Sequence, residues 1–595
     1  MPEYPKYEKM TSQLFFLLLL LLIIYMVGIF LRPVLLNNEM MNFEISRLII
    51  SSGDPAYLTQ LDGEYKYPNS LLIVGINFLC SKLLGFNEMA FRMPSLLITL
   101  TAAALLCQLC AKFENKNYLL LTPIIYLSSY SVYWAGSAAL NANLSGILTF
   151  LILGCYYLAG QGQSRLCQKW FLIALFVLLN GLLLFAGGLS MFLYLICAIT
   201  IYELIHRRYR KLFMVIMALI AFWMVLYLVM SLILPKPFLV ELQKGLFNNL
   251  EMTYNAFASV RPLLSLLLGG AAFFPWLLLL PVVVVGFIWI DHVKPDPTAS
   301  SSGDSEQNSK KSRVTRIINE DASDFAYNAY EKYFDSELLT FAFCNMLLSL
   351  LFSYVLDWRY SFIHAMMPWM SIVFAFGLLN YFNTPGRKLF NAVVLIIGAF
   401  VFAGGLFVEI CHILSLSSLL SNPFGIYASS HRYLVLAFVL MVLAVVLLAS
   451  GYKFPVATKL LFFVGGFGIL NAVAPFLAPD NQKLQLDTGR IISQLTSRLR
   501  PGSLVYGADE LYFALGWQLG RNDVELFHTD PGENRAELDA LLARIARGRE
   551  YIFVFLKSTA SATALPEPDF KLERGGMVLY EYYPDEKNIK AHLKK

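Results

Sequence analysis

The chain has 595 residues, 57% of them hydrophobic and 15% charged, with a mean hydropathy of +0.59. Soluble domains are closer to a quarter charged, so this composition excludes a soluble enzyme and points to a polytopic α-helical membrane protein. The net charge of +5 is small for the length and gives no ground for nucleic-acid binding.

Lys6 and Lys9 precede an apolar run from Leu14 to Leu36. The run is too long for a cleaved signal peptide and lacks an Ala-x-Ala site, so it reads as the first span. A polar stretch follows at once, from Asn37 through Glu39 and Glu44 to Arg47, then Gly53-Asp54-Pro55 and Asp62-Gly63-Glu64-Tyr65-Lys66-Tyr67-Pro68. Met40, Ile45 and Ile49 keep helical spacing, which predicts an amphipathic helix on the membrane surface, ended by the Gly-Asp-Pro breaker. An ordinary solvated loop is the bland alternative; carboxylates at a bilayer surface are what a lipid-linked reaction needs.

About thirteen apolar segments are long enough to cross a bilayer. Their approximate limits are 13–36, 94–111, 117–137, 143–160, 169–186, 189–205, 212–234, 263–290, 337–355, 361–382, 389–411, 433–450 and 455–477. The stretch 70–86 is apolar but short and contains Lys82, and reads as a surface or re-entrant helix. With the N-terminus inside, the basic loops fall on one side: Lys112 and Lys116, Arg165 and Lys169, then 206–211, the 292–335 linker, Arg387-Lys388 and Lys453. That pattern satisfies the positive-inside rule. It places the first loop (37–93), the 235–262 loop and the C-terminal part outside. The Ser-rich linker 292–335 reads as a partly disordered cytoplasmic spacer.

Membrane domain 1–480 is followed by a change of character, and 481–595 reads as a small α/β domain of roughly 110 residues, a size that can bury its own core. Helices are predicted at 482–499, 510–517 and 534–547. Strands are predicted at 503–507, 524–527 and 551–555, with a hairpin of 570–573 and 577–582 across Gly575-Gly576. No Gly-rich phosphate loop appears there, and His528-Thr529-Asp530 reads as a polar turn. The eight cysteines lie in or beside apolar segments, and the Cys107/Cys110 spacing has no second pair or nearby His, so packing is their reading.

Several local patterns resemble one family. Leu84-Gly85-Phe86-Asn87-Glu88-Met89-Ala90-Phe91-Arg92-Met93-Pro94-Ser95 is similar to its "lfGxnefaxRxpS" segment. Gly63–Pro68 is similar to its G-x-x-Y…K-P segment, Phe274-Pro275-Trp276 to its "fPW", and Arg359-Tyr360 with Pro368 to its "RY…P". The matches run in order through the membrane half. The chain therefore resembles the GT-C class of membrane glycosyltransferases, more narrowly the lipid A aminoarabinose transferases and bacterial relatives of protein O-mannosyltransferases.

That resemblance implies a bacterial inner-membrane enzyme with an external C-terminal domain. It would transfer a sugar, with inversion, from a polyprenyl-phosphate donor to an acceptor: lipid A, a glycan or a protein. The family's catalytic aspartates correspond here to Asn38 and Asn141, and a carboxamide cannot take a proton near neutral pH. Glu39, one residue on, is the candidate base, with Glu44 or Asp62 assisting and Tyr67 nearby. Lys66, Arg359, Arg261 and Tyr360 are candidates for the leaving phosphate, Arg359 foremost for its two-pronged hydrogen bonding. Some relatives hold a divalent ion near the first loop, which leaves room for a divalent cation here, although His364, His412 and His431 are too scattered to argue a site. The alternative is a chain that binds lipid-linked sugar without transferring it. A transporter is the weakest reading, because the spans hold few ionisable residues and show no repeat.

Overall fold

Inside a bilayer no water is at hand for backbone N–H and C=O groups, so each apolar run must satisfy them within itself as helix. A computed structural model of the chain describes residues 5–31, 43–47, 60–61, 64–65, 71–85, 87–111, 116–137, 141–160, 166–233, 272–293, 336–355, 360–383, 388–413, 440, 442–445, 458–460, 463–468, 491–492, 494–507, 515, 525–528, 535–548, 550–556, 565–574 and 577–584.

The first span is α1 (Pro5–Leu31). Beyond it, residues 43–47 form a helical turn, and β1 (Gln60–Leu61) pairs antiparallel with β2 (Glu64–Tyr65). The short apolar stretch is α2 (Leu71–Leu84), 14 residues long. At 1.5 Å per residue it covers about 21 Å, less than the hydrocarbon thickness, as its length suggested.

The long motif builds the junction to α3 (Glu88–Cys110). Gly85 takes φ +83°, a left-handed turn that a side chain would strain. Asn87 then caps α3, its Oδ1 accepting from the Ala90 N–H at 2.8 Å while its Nδ2 donates back to the Leu84 carbonyl. Glu88 supplies negative charge to the first turn.

The stretch predicted as one span at 117–137 is two helices, α4 (Lys116–Ser128) and α5 (Tyr130–Gly136). The break at Ser129 is filled from far along the chain. The Tyr130 N–H donates to the Phe274 carbonyl at 2.8 Å, and Trp276 Nε1 donates to Ser128 Oγ at 2.8 Å. The Phe-Pro-Trp motif is thus a packing device, with Phe273 and Trp276 fully buried.

Next come α6 (Asn141–Gly160), α7 (Leu166–Ile205) and α8 (Tyr209–Ile233). Gly188 has φ +61° and ψ −160°, and the chain doubles back there. Tyr156 packs against Phe176 while its neighbour Tyr157 packs against Tyr202. A straight helix would put Phe176 and Tyr202 about 39 Å apart, so the two arms of α7 are the two separate spans expected from the sequence.

The segment expected as a single span at 263–290 is described from residue 272, as a turn, a 3-10 stretch (Trp276–Leu279) and α9 (Leu280–Val293). Then follow α10 (Ser336–Val355), α11 (Tyr360–Asn383) and α12 (Lys388–Ile413). Among the described residues seven helices are long and apolar enough to cross a membrane, and shorter apolar helices accompany them. Of the last two expected spans, only 440, 442–445, 458–460 and 463–468 are described.

The bundle is organised around α11, whose spanning window is entirely buried. Trp369 on α11 meets Phe150 of α6 and Phe341 of α10 edge-on, and Phe341 stacks on Tyr157. In lipid such packing, more than a hydrophobic drive, holds helices together. Small residues bring backbones close: a Cβ on Gly146 would lie 2.5 Å from the Ser361 carbonyl oxygen.

At the C-terminal end β3 (Leu504–Gly507), β4 (Glu525–His528), α13 (Arg535–Arg547), β5 (Ile552–Leu556), β6 (Phe570–Arg574) and β7 (Met577–Tyr582) follow the predicted order. The sheet order is β4-β3-β5-β7-β6, with β4, β3 and β5 parallel and the β6–β7 hairpin antiparallel. Alternation sorts the strands onto two apolar layers. Val505, Phe553, Phe555 and Leu579 pack with Ile491, Ile492 and Leu495, whereas Tyr506, Val554 and Tyr580 pack with Leu541 of α13. Most of the length predicted as a helix at 510–517 lies outside the described residues, as do residues 482–490 of the first one.

Candidate functional site

One end of the bundle brings together the starts of α6 and α11, at Asn141 and Tyr360, and the turn that holds Glu44. Asn141 opens α6 and Tyr360 opens α11. Four residues along α6, Ser145 Oγ donates to Ser361 Oγ at 2.8 Å. The two helices run parallel, since residues 145 and 361 pair at one level and Phe150 meets Trp369 further in. Asn141 and Tyr360 therefore stand at the same end, where two helix N-termini bring together the positive ends of their dipoles.

Beside them runs α3. Asn143 is fully buried, and its Nδ2 donates to Thr99 Oγ1 of α3 and to the Ala135 carbonyl, both at 3.3 Å. Its Oδ1 has no hydrogen-bond partner among the described residues. Seven residues nearer the start of α3, Arg92 is also fully buried and donates from Nη1 to the Ile29 carbonyl at the end of α1, 3.1 Å away. Tyr25 of α1 donates to the Leu127 carbonyl and meets Tyr133 edge-on, tying α1, α4 and α5 together beneath this end.

Of the first loop, the turn 43–47 packs on the same structure. Phe43 packs against Phe91, next to Arg92, with ring centroids 4.6 Å apart and the planes tilted by 36°. Its neighbour Glu44 is 1% exposed and both carboxylate oxygens are engaged by Arg47, Oε2 by Nε at 2.8 Å and Oε1 by Nη2 at 2.6 Å. The i,i+3 spacing on one helical turn makes that fork possible. A carboxylate so held anchors the turn and keeps an arginine in place.

Of the residues the sequence proposed, Glu44 is thus placed in full. Asn141 and Tyr360 are placed by backbone at one end of the bundle. Asn38, Glu39, Asp62, Lys66, Tyr67, Arg261 and Arg359 lie outside the described residues. Among the described residues no group of three or more His, Cys, Asp or Glu side chains is placed to hold a metal ion. Cys110 is buried and donates to Thr122 Oγ1 at 3.6 Å, and the six cysteines described are all unbridged.

Arg92 and Asn143 were passed over as site residues in the sequence. The signal for Arg92 was a cation inside an apolar run, which in a membrane marks function or a specific partner.

Two solved structures share this architecture across the whole length: ArnT from Cupriavidus metallidurans in the apo state and the same protein bound to undecaprenyl phosphate. The TM-scores are 0.67 and 0.66 at 14% sequence identity, over 96% of this chain and 98% of the other. The fold is that of ArnT. It is the GT-C-like fold expected from the ordered motifs, and the coverage extends that likeness from the membrane helices into the C-terminal sheet. No family model matches the sequence, and no curated relative does. At 14% identity the likeness carries the fold and leaves activity to the residues.

Proposed function

We propose that the chain transfers a sugar from a polyprenyl-phosphate donor to an acceptor at the membrane face where α6 and α11 begin. The observation that carries this reading is the full-length likeness to ArnT, solved with undecaprenyl phosphate bound. The polar convergence of the first loop, α3, α6 and α11 supports the place.

In the proposed step Glu39 takes the proton of the acceptor hydroxyl as its oxygen bonds to the anomeric carbon. The bond from that carbon to the lipid phosphate breaks, and its electron pair stays on the phosphate oxygen. Lys66, Arg359, Arg261 and Tyr360, with the paired N-termini of α6 and α11, receive the developing charge. Glu44 is spent on Arg47, so it positions the loop, and Asp62 and Tyr67 line the approach. The acceptor is lipid A, a glycan or a protein. The positive-inside pattern supports an N-terminus in the cytoplasm with this face and the 481–595 domain outside, and the likeness to ArnT supports a bacterial inner membrane.

A second reading keeps donor binding and drops transfer. It is favoured by the two carboxamides, Asn38 and Asn141, at the family's acid positions. Purified full-length protein, given radiolabelled polyprenyl-phosphate sugars, separates the two. The transferase reading expects turnover that vanishes in Glu39→Gln. Donor binding without turnover, with activity appearing in Asn38→Asp, supports the second reading. Absence of donor binding contradicts both.

A further inference from the structure

At the other end of α6 lies a cavity of about 610 Å³ between α6, the first arm of α7 and the start of α8. Asn141 and Gly160 are the two ends of α6, about 28 Å apart at 1.5 Å per residue, close to the bilayer's hydrocarbon thickness. The cavity therefore opens at the opposite membrane face from the proposed transfer site.

Its walls change character along their length. Lys169, Arg208 and Lys211 stand at the mouth, and Ile173, Phe176, Val215 and Phe222 line the interior toward Asn180. Lys169 and Asn180 lie on one stripe of α7, about 16 Å apart along its axis. The space is an apolar trough as long as much of an acyl chain, with cations only at its surface end.

The cations outnumber the acids that face them. Glu203, fully buried, accepts from Lys211 at 2.7 Å and from the Tyr156 hydroxyl at 2.5 Å. Glu337 on α10 pairs with Arg208 at 3.2 Å and lies 3.9 Å from His206. Lys169, Arg207 and Arg210 have no acidic partner among the described residues. The mouth keeps a positive excess. The outer wall, α8, has only 6% of its spanning window buried, so the trough is bounded by a helix that faces lipid.

We infer that this trough is a binding site for an anionic phospholipid, its phosphate at Lys169 and Lys211 and one acyl chain between α7 and α8. Charge complementarity selects the headgroup, because each basic residue near a membrane surface favours an anionic lipid. The apolar interior accepts the chain, and the lipid-facing wall gives it entry from the bilayer. The site is separate from the donor's and does not depend on transfer activity.

The test is native mass spectrometry of the full-length protein in detergent, with dioleoyl phosphatidylglycerol or phosphatidylethanolamine added. Wild type is expected to retain phosphatidylglycerol in preference to phosphatidylethanolamine. Lys169→Gln should weaken retention about fivefold, in line with one lost cation near an anionic lipid. Ala218→Phe, which fills the trough from exposed α8, should abolish it without disturbing the bundle interior. Equal retention of the two lipids, or unchanged retention in Ala218→Phe, overturns the proposal. So does displacement of phosphatidylglycerol by an equimolar polyprenyl phosphate, which would assign the trough to the donor.

Discussion

The two ends of α6 solve opposite problems. At its start the polar side chains of α6 itself are neutral and reach neighbouring helices: Asn143 Nδ2 donates to Thr99 and Ala135, and Ser145 to Ser361. At its finish α6 meets charged groups of α7 and α8, where buried Glu203 accepts from part-exposed Lys211 and from the Tyr156 hydroxyl beside the trough. A hydroxyl or amide can lock parallel helices at modest cost because its hydrogen bonds are short-ranged and its desolvation is small. A charge buried in the same place needs a paired countercharge. Hence short neutral contacts close the first end of α6, while the second holds fixed charge at the membrane edge.

The largest effect is expected where the first end is most tightly closed. Gly146→Leu would push a side chain into the Ser361 carbonyl and His364, whose atoms lie 2.5 and 2.7 Å from a Cβ there. Overpacking of this kind costs about 3 kcal/mol. The full-length protein should lose its monodisperse peak in size-exclusion chromatography, and a normal peak would mean that α6 and α11 can part.

At the second end, Glu203→Gln leaves the Lys211 ammonium beside an amide. Loss of a buried pair costs about 3–5 kcal/mol, and because Lys211 is 35% exposed a value of about 2 kcal/mol is expected. Thermal unfolding in detergent measures it, and an unchanged midpoint would show that the cluster contributes nothing to stability.

A finer comparison uses Ser145 and Ser361. Each single alanine variant should cost about 1 kcal/mol, and the double variant little more than one alone, because the two share one bond. Full additivity would mean that the serines act independently and that the parallel register of α6 and α11 rests on packing alone.

The smallest effect lies in the C-terminal sheet. Burial first, then the charges of Tyr580 and Asp569, push the Tyr582 hydroxyl up to about 12 from its usual 10.0. The fold therefore favours the protonated phenol, which donates to the Pro566 carbonyl at 2.9 Å. That contribution is whole below pH 10 and is lost as pH rises toward 12. Wild type should lose thermal stability over that window more steeply than Tyr582→Phe; parallel pH profiles would contradict the assignment.

How much of this was legible in the sequence depended on the range of the contacts involved. The sheet was readable strand by strand, because Ile552–Leu556 is a short unbroken apolar run rich in β-branched and aromatic residues and Gly575-Gly576 marks the hairpin. The reversal at Gly188 was readable for the same local reason. The break at Ser129 was not, because the N–H it exposes is satisfied by Phe274, far along the chain. Nor was the pairing of Ser145 with Ser361, 216 residues apart. Motif resemblance carried the fold further than periodicity could. It did not say what individual motif residues touch: Phe273 and Trp276 are core, and Glu44 is paired with Arg47.

The central claim is that lipid-linked sugar is handled at the face where α6 and α11 begin. A polyprenyl phosphate bearing a photoreactive group near its phosphate tests this most directly, crosslinked to the full-length protein and mapped by peptide mass spectrometry. The account predicts crosslinks in the first loop, 37–68, and around residues 356–361. Crosslinks confined to 165–169 and 206–211, at the far end of α6, would contradict it.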